Sequence, residues 1–345
     1  MKNLVVCGYG GMGGWHVQHA LKSDVVHLNG IYDIDPAKAE LAESRGIHAY
    51  SSWQEVLTDP TVDMITVAIP NDQHKKIVIE ALEAGKNVIC EKPVTLSSAD
   101  LQEMIDAANR AGKIFSVHQN RRWDVDTLAM KQIYESGEIG EIFNIESRVH
   151  GSRGIPSDWR GMKQYGGGMI YDWGIHLIDQ ILQIIKEKID TVYCRLDHIT
   201  NKEVDDGFKL ELIFESGKRA YIELGTYNFI AMPRFYMQGM KGTAKINDWR
   251  EKCQIVKCKA WHESDVVPVE TAAGLTKTMA PRDSITVDEY EIERPASDVH
   301  DYYRNFVKAI DGIEPQLVTH EQMMLDMKVM EAAFKSAELG QVIKF

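Results

Sequence analysis

The chain has 345 residues, with 39 Lys+Arg against 51 Asp+Glu and a formal net charge of −12. That length accommodates about two domains, and the acidic balance argues against nucleic acid or an anionic membrane as the main partner. No stretch approaches the ~18 apolar residues of a spanning helix, and the five cysteines are scattered with no His or Cys cluster around them, so reduced thiols, a cytoplasmic location and no metal site are expected.

Leu4–Cys7 reads as a short buried strand, too short for the core of a secretory signal. It leads into Gly8-Tyr9-Gly10-Gly11-Met12-Gly13 and a helix-compatible Trp15–Leu21. Glycines so placed permit a tight turn, close backbone approach to a pyrophosphate and close helix–strand packing, and the new helix N-terminus offers free N–H groups to the phosphates. A second strand, Val25–Tyr32, ends at Asp33, 25 residues after Gly8. An acid there accepts hydrogen bonds from an adenosine ribose. It also repels a 2′-phosphate, and Ile34 and Asp35 offer no cation to bind one, so NAD is expected over NADP.

Further strand–helix units follow. Met64–Ile69 precedes a helix from about Asp72, Asn87–Cys90 precedes one from about Ser98, and Ile114–His118 is the last strand of the series. This alternation predicts a parallel sheet covered by helices on both faces. Asn71 either caps its helix or touches the cofactor, the cap being the plainer reading. Gly85 and Gly112 stand where helix-ending glycines belong. Glu91-Lys92-Pro93 follows an apolar strand directly, and ligands of such sheets bind outside the carboxyl ends of the strands. A lysine there can stabilise a developing alkoxide. Of Asn120, Arg121 and Arg122, at least one is expected in the cleft.

In the second half, Glu141–His150 alternates, with Phe143, Ile145 and Val149 on one side and Asn144, Glu146, Arg148 and His150 on the other. Gly207–Phe214 presents Phe208, Leu210, Leu212 and Phe214 to one face, Glu215-Ser216-Gly217-Lys218 is a turn, and Arg219–Leu224 continues as a strand. Between these segments, Gly166-Gly167-Gly168 precedes a helical stretch with Asp172 and His176 four residues apart. At about 100° per residue, Asp172, His176 and Asp179 share one stripe, while Ile170, Trp173, Leu177, Ile178 and Ile181 fall on the opposite arc. The bland reading is a solvated polar face. The chemical one is a carboxylate–imidazole pair suited to proton transfer near neutral pH. Lys259–Ser297, with three prolines, reads as an irregular excursion near the sheet edge. Met323, Met324, Met327 and Met330 read as helical core packing.

The order of Gly8–Gly13, Ile69-Pro70-Asn71 with His74, Glu91-Lys92-Pro93 and Gly166–Asp179 resembles the Gfo/Idh/MocA family, the glucose–fructose oxidoreductase and inositol dehydrogenase group. The match runs on through Gly239-Met240-Lys241-Gly242-Thr243 to the closing helix. The resemblance implies an α/β protein: an N-terminal Rossmann domain, placed at 1–122, and a C-terminal α/β domain at 123–345 with a large, mostly antiparallel open sheet. The final helix is expected to pack back on the first domain, and the open sheet to serve a homo-oligomer. It further implies a Lys92–Asp172–His176 catalytic group and cofactor contacts at Gly8, Tyr9, Gly10, Gly11, Met12, Gly13, Asp33, Ile69, Pro70, Asn71, His74, Glu91, Lys92 and Asn120. Trp159-Arg160 resembles the pair such enzymes set against the cofactor, an indole face and a guanidinium for phosphate.

The expected activity is an NAD-dependent oxidoreductase acting on a ring secondary alcohol of a neutral sugar, glycoside or cyclitol, the 3-hydroxyl of a glycoside being one candidate. His150, Arg153 and Tyr165 join Lys92, Asp172 and His176 as expected substrate contacts. Trp123 and Trp159 are expected to offer apolar faces, with Trp173 in the core. No compact Arg or Lys cluster adjoins Asp172–His176 in the sequence, which disfavours a phosphosugar. Either Lys92 or His176 can serve as the base, since coupled groups share their titration. A glycosidase working by transient oxidation and elimination uses the same residues. A non-catalytic nucleotide or sugar sensor on the same fold has no need of all three.

Overall fold

The structure is a computed structural model that describes residues 1–259 and 267–345. Its first half is built from β1 (Lys2–Cys7), α1 (Gly11–Ala20), β2 (Val26–Tyr32), α2 (Pro36–Ser44), α3 (Trp53–Thr58), β3 (Met64–Val67), α4 (His74–Glu83), β4 (Asn87–Cys90), α5 (Ser98–Ala111) and β5 (Phe115–Val117). The strands pair in parallel in the order β2-β1-β3-β4-β5. Leu4, Val5, Val6, Ile65, Val88 and Ile89 are fully buried because helices cover both faces, which is why these strands read as unbroken apolar runs. Ser97 caps α5 through Asp100 N, and Gly112 ends it in the left-handed conformation at φ 61°.

The second half contains α6 (Val125–Ser136), β6 (Ile142–His150), α7 (Ile175–Ile184), β7 (Ile189–Asp197), β8 (Gly207–Phe214), β9 (Arg219–Gly225), β10 (Phe235–Gly239), β11 (Gly242–Ile246), β12 (Cys253–Cys258), β13 (Val269–Thr271), β14 (Gly274–Thr276), β15 (Val287–Ile292), α8 (Asp301–Ile310), α9 (His320–Leu339) and β16 (Ile343–Lys344). Among the described residues its main sheet runs β15-β12-β11-β10-β6-β9-β8-β7-β16, antiparallel except for the β6–β9 pair. The alternation expected of β8 is met: Phe208, Leu210, Leu212 and Phe214 are buried on one face.

Two expectations need correction, and one open alternative is decided. Phe143 does not share the inner face with Ile145: a register shift against β10 turns Phe143 outward and Ile142 inward, as an extra residue in a ladder does. The 259–297 stretch is not wholly irregular, since β13 and β14 pair as a hairpin and β15 is an edge strand of the main sheet; residues 260–266 lie outside the described residues. Finally, the polar stripe of α7 is not solvated. His176, Asp179 and Gln180 are buried along with the apolar face, because the helix is wedged among the sheet, α6, α9 and the segment after β5.

The end of the chain returns to the first half. Tyr302 of α8 donates to Val117 O at 2.8 Å, and Glu331 of α9 accepts from Ser98 N at 2.6 Å. Arg122, just past β5, donates to both Asp179 oxygens of α7 and to Leu317 O and Gln322 Oε1. Met323, Met327 and Met330 pack in the core as expected.

Candidate active site

The turn between β1 and α1 explains its own glycines. Gly8 has φ +95°, and a Cβ there would stand 2.3 Å from Ala68 O; at Gly13 it would stand 1.9 Å from Gly8 O. These two glycines let strand, turn and helix close on one another. Gly10 and Gly11 differ: a Cβ on either would meet nothing within 4 Å. It would project into a cavity of about 810 Å³ that runs from Gly10, Gly11 and Met12 past Asp33 and Trp159 to Lys92. Helix α1 has no side-chain cap, so its first N–H groups are left for an anion. Asp33 accepts from Tyr9 N (2.6 Å) and Asp35 N (2.9 Å), which fixes its carboxylate at the tip of β2 on the cavity wall. This cradle fits a dinucleotide.

At the far end of that cavity, Lys92 Nζ donates to Asp172 Oδ1 at 2.9 Å and to Asp172 O at 2.8 Å. Arg160 Nε donates to Asp172 Oδ2 at 3.1 Å and its Nη1 to Asp158 Oδ2 at 2.8 Å. Burial would raise the Asp172 carboxyl, but the Lys92 and Arg160 cations outweigh it and leave it below the ordinary carboxylate range. Asp172 sits in a single π-helical turn, Ile170–Gly174, ahead of α7. Such turns widen the helix locally and recur at functional sites. Asp205 holds the start of this turn, accepting from Ile170 N at 2.8 Å, and burial pushes its carboxyl up to about 6. His176 follows in α7, buried, with no partner for Nδ1 among the described residues. Burial, with the charges of Lys92 and Arg121, holds its imidazole well below its ordinary 6.5.

Asp172 also lines a second cavity, of about 620 Å³, together with Arg121, His150, Arg153, Trp173 and Trp249. Trp173 packs against the core and also lines the cleft, with Arg121 stacked 4.3 Å over its ring and 5.3 Å from that of Trp249. The sequence hides this basic group because β5, β6 and α7 bring it together from distant segments. Arg121 is itself paired with Asp124 at 2.9 Å.

Gly8, Gly10, Gly11, Met12, Asp33, Ile69, Pro70, Asn71, Glu91, Lys92, Trp159 and Arg160 all line the first cavity. Asn71 is not the cap of α4; it lies in a short 3-10 turn and donates to Gly166 O at 3.3 Å. Six of the expected residues line neither cavity: Gly13, which packs on Gly8, His176, which is buried one helical turn beyond Asp172, and Tyr9, His74, Asn120 and Tyr165. His74 is fully buried, its ring nitrogens 3.0 Å from Pro93 O and 2.9 Å from Ile69 O, and the neutral ring donates to one of them behind the wall. Tyr9 is buried, with its hydroxyl accepting from Arg45. Asn120 lines a separate cavity beside Trp123, and Tyr165 is exposed on a 3-10 turn. Sequence reasoning missed Trp53, Lys76 and Glu80 in the first cavity and Trp249 and Thr226 in the second; none carries a local motif.

Residues 2–119 match the family described as oxidoreductase family, NAD-binding Rossmann fold, and residues 127–245 match the GFO/IDH/MocA C-terminal domain. The chain belongs to the Gfo/Idh/MocA oxidoreductases. It is similar to an NAD-binding protein from Listeria innocua, with 43% identity, a TM-score of 0.96, and coverage of 100% of this chain and 99% of that one. Among curated relatives it is 28% identical to the uncharacterized oxidoreductase YhhX of Escherichia coli, over 98% of this chain and 99% of that protein. It is 25% identical to myo-inositol 2-dehydrogenase of Thermotoga maritima, over 98% and 97%. As a Gfo/Idh/MocA member this chain is an NAD-binding oxidoreductase.

Proposed function

We propose that this oxidoreductase transfers a hydride between nicotinamide and a ring secondary alcohol of a neutral sugar, glycoside or cyclitol. The observation that carries the reading is the position of Asp172, with Lys92 on it, at the junction of the two cavities. A substrate in the second cavity therefore meets the cofactor end of the first at this ion pair. NAD, when bound along Gly10–Met12 and Asp33, supplies the hydride acceptor. Lys92 donates to the reacting hydroxyl oxygen and stabilises it as it turns to alkoxide, while Asp172 holds the ammonium in place. His176, one helical turn beyond Asp172 and kept uncharged by burial, is the group we assign to take the hydroxyl proton. Trp173 and Trp249 offer ring faces to the apolar side of a sugar, and a cavity of this volume lies in the range that encloses ligands larger than one pyranose. Pairing of Arg121 with Asp124 supports an uncharged substrate.

We further propose that Asp33 gives NAD preference over NADP and that the open face of the main sheet joins copies of this cytoplasmic enzyme. No helix among the described residues is long and apolar enough to cross a membrane. The test of function is NMR product identification after incubation with NAD and inositols, free hexoses and methyl glucosides. Oxidation of a ring secondary alcohol is expected. Turnover confined to phosphosugars, hydroxy acids or simple alcohols would sink the proposal.

A further inference from the structure

Behind the cofactor cavity lies a chain of buried polar groups that the reaction itself does not use. Glu91 Oε1 faces His16 Nε2 and His118 Nδ1, each at 2.8 Å, and its Oε2 accepts from the backbone N–H of Lys92 at 3.1 Å. Tyr303 Oη lies 2.8 Å from His16 Nδ1, and Thr66 Oγ1 lies 3.0 Å from Tyr303 Oη. All five residues are buried, so each proton in the chain must have an assigned place.

The donor accounting has one solution while Glu91 is ionised. A carboxylate only accepts, and a neutral imidazole has one donor and one acceptor nitrogen. His16 therefore carries its proton on Nε2 and donates to Glu91. Its Nδ1 must accept, the Tyr303 hydroxyl is the group that donates to it, and Thr66 in turn donates to Tyr303. Burial would raise the Glu91 carboxyl, but the two imidazoles outweigh it and hold it well below the ordinary carboxylate range. Ligand atoms of His16, Glu91 and His118 lie within 4.8 Å of one another, a spacing a metal could use. As assigned here, both N–H groups meet one carboxylate oxygen.

We propose that Tyr303 is a positioning residue for Lys92: its hydroxyl anchors the His16 ring by Nδ1, that ring with His118 clamps Glu91, and Glu91 holds the Lys92 backbone. A tyrosine of α8, supplied by the last part of the chain, thereby sets where the Lys92 ammonium meets Asp172. Without the hydroxyl, His16 Nδ1 is a buried acceptor with no donor. Turning the ring relieves that and takes the N–H off Glu91, whereas moving the proton would only set a lone pair against the carboxylate. The proposal rests on reading Lys92 as a reacting group, but its test does not need turnover.

The experiment is acetylation of the full chain by acetic anhydride without NAD, with Lys92 labelling measured by peptide mass spectrometry against exposed Lys209. Tyr303→Phe is expected to speed Lys92 labelling by roughly tenfold, the lower end of what losing an outer hydrogen-bond partner does to a metal ligand. His16→Gln keeps an amide N–H toward Glu91 and has no ring nitrogen for Tyr303 to anchor, so it should label almost like the parent. In that background Tyr303→Phe should add nothing. An unchanged Lys92 rate in Tyr303→Phe, or additive effects in the double variant, would overturn the proposal, because a mere packing role is additive. If Tyr303→Phe lowers the melting temperature too far, Thr66→Val loosens the same hydroxyl from its other side. It should speed Lys92 labelling in the same direction, and no change would overturn the proposal. Absence of NAD reduction with every alcohol tried would defeat the functional reading alone, since labelling is blind to it.

Discussion

Lys92 and Asp172 come from segments 80 positions apart and meet at 2.9 Å, with Arg160 on the other carboxylate oxygen. Lys92→Ala or His176→Ala is expected to lower turnover by ~10²–10⁴-fold, the usual contribution of an acid–base group, with NAD affinity nearly intact by fluorescence titration. Near-normal rates in both variants would remove them from the chemistry. Asp33→Ser should narrow the preference for NAD by admitting a 2′-phosphate, read as the ratio of dissociation constants for NAD and NADP; equal affinity in the parent would dispose of the assignment. The three residues proposed to react were singled out because each sits in a short motif: Glu-Lys-Pro after a strand, and Asp and His four apart after glycines. Arg121 was expected only as one of three candidates for the cleft and Trp249 not at all, because the stacking that brings them to the cavity depends on distant strands rather than neighbours in sequence.

Element by element, periodicity revealed what packing against a continuous core dictates. The parallel strands and β8 were read with nearly their observed limits because burial on both faces, or on one, leaves its mark residue by residue. The bulge in β6 left none, since it is a mismatch with β10 and not a property of β6. Strands β13 to β15 were hidden because both faces are largely exposed, so no alternation was required of them. The buried side of α7 was half legible. Asp179 was seen as polar and assigned to a polar face, whereas Arg122 reaches it inside the protein at 2.9–3.0 Å through Nε. Asp326 lies beside the same pair, its carboxyl raised well above the ordinary range by burial and by the Asp179 charge. Arg122→Met should therefore destabilise by about 3–5 kcal/mol, as stranding a buried charge does, measured by urea unfolding. A loss under ~1 kcal/mol would show that the pair contributes little.

For the whole molecule, protonation sets the response to acid. Burial lowers the imidazoles of His16, His74 and His176, so below about 6.5 the unfolded chain binds protons that the folded one does not. Stability then falls as pH drops. Asp205 acts in the opposite sense: raised to about 6, it holds a proton in the folded state that the unfolded chain releases between about 4 and 6. Asp326, also raised, acts with Asp205, but two carboxyls against these three imidazoles and the lowered His19 and His320 leave a net loss, and the melting temperature is expected to decrease from pH 7 to pH 5. A flat or rising profile would mean that these histidines are charged in the folded state. Light scattering should return a multiple of the 39.1 kDa chain mass if the open sheet face joins copies, and a single chain mass would rule that out.

The return of α8 and α9 to the first sheet bears on how the protein comes apart. Tyr302 on Val117, Glu331 on Ser98 and Arg122 on Gln322 cross between the halves, and Tyr303 completes the donor chain to His16. Neither half can lose its structure without orphaning buried polar groups of the other, each of which costs free energy when left unpaired. The two sheets are thus thermally coupled despite their separate architectures. Scanning calorimetry should record one endotherm, with calorimetric and van't Hoff enthalpies in agreement, and a chain cut after Ser297 should lose ordered side-chain packing in its Rossmann half as well.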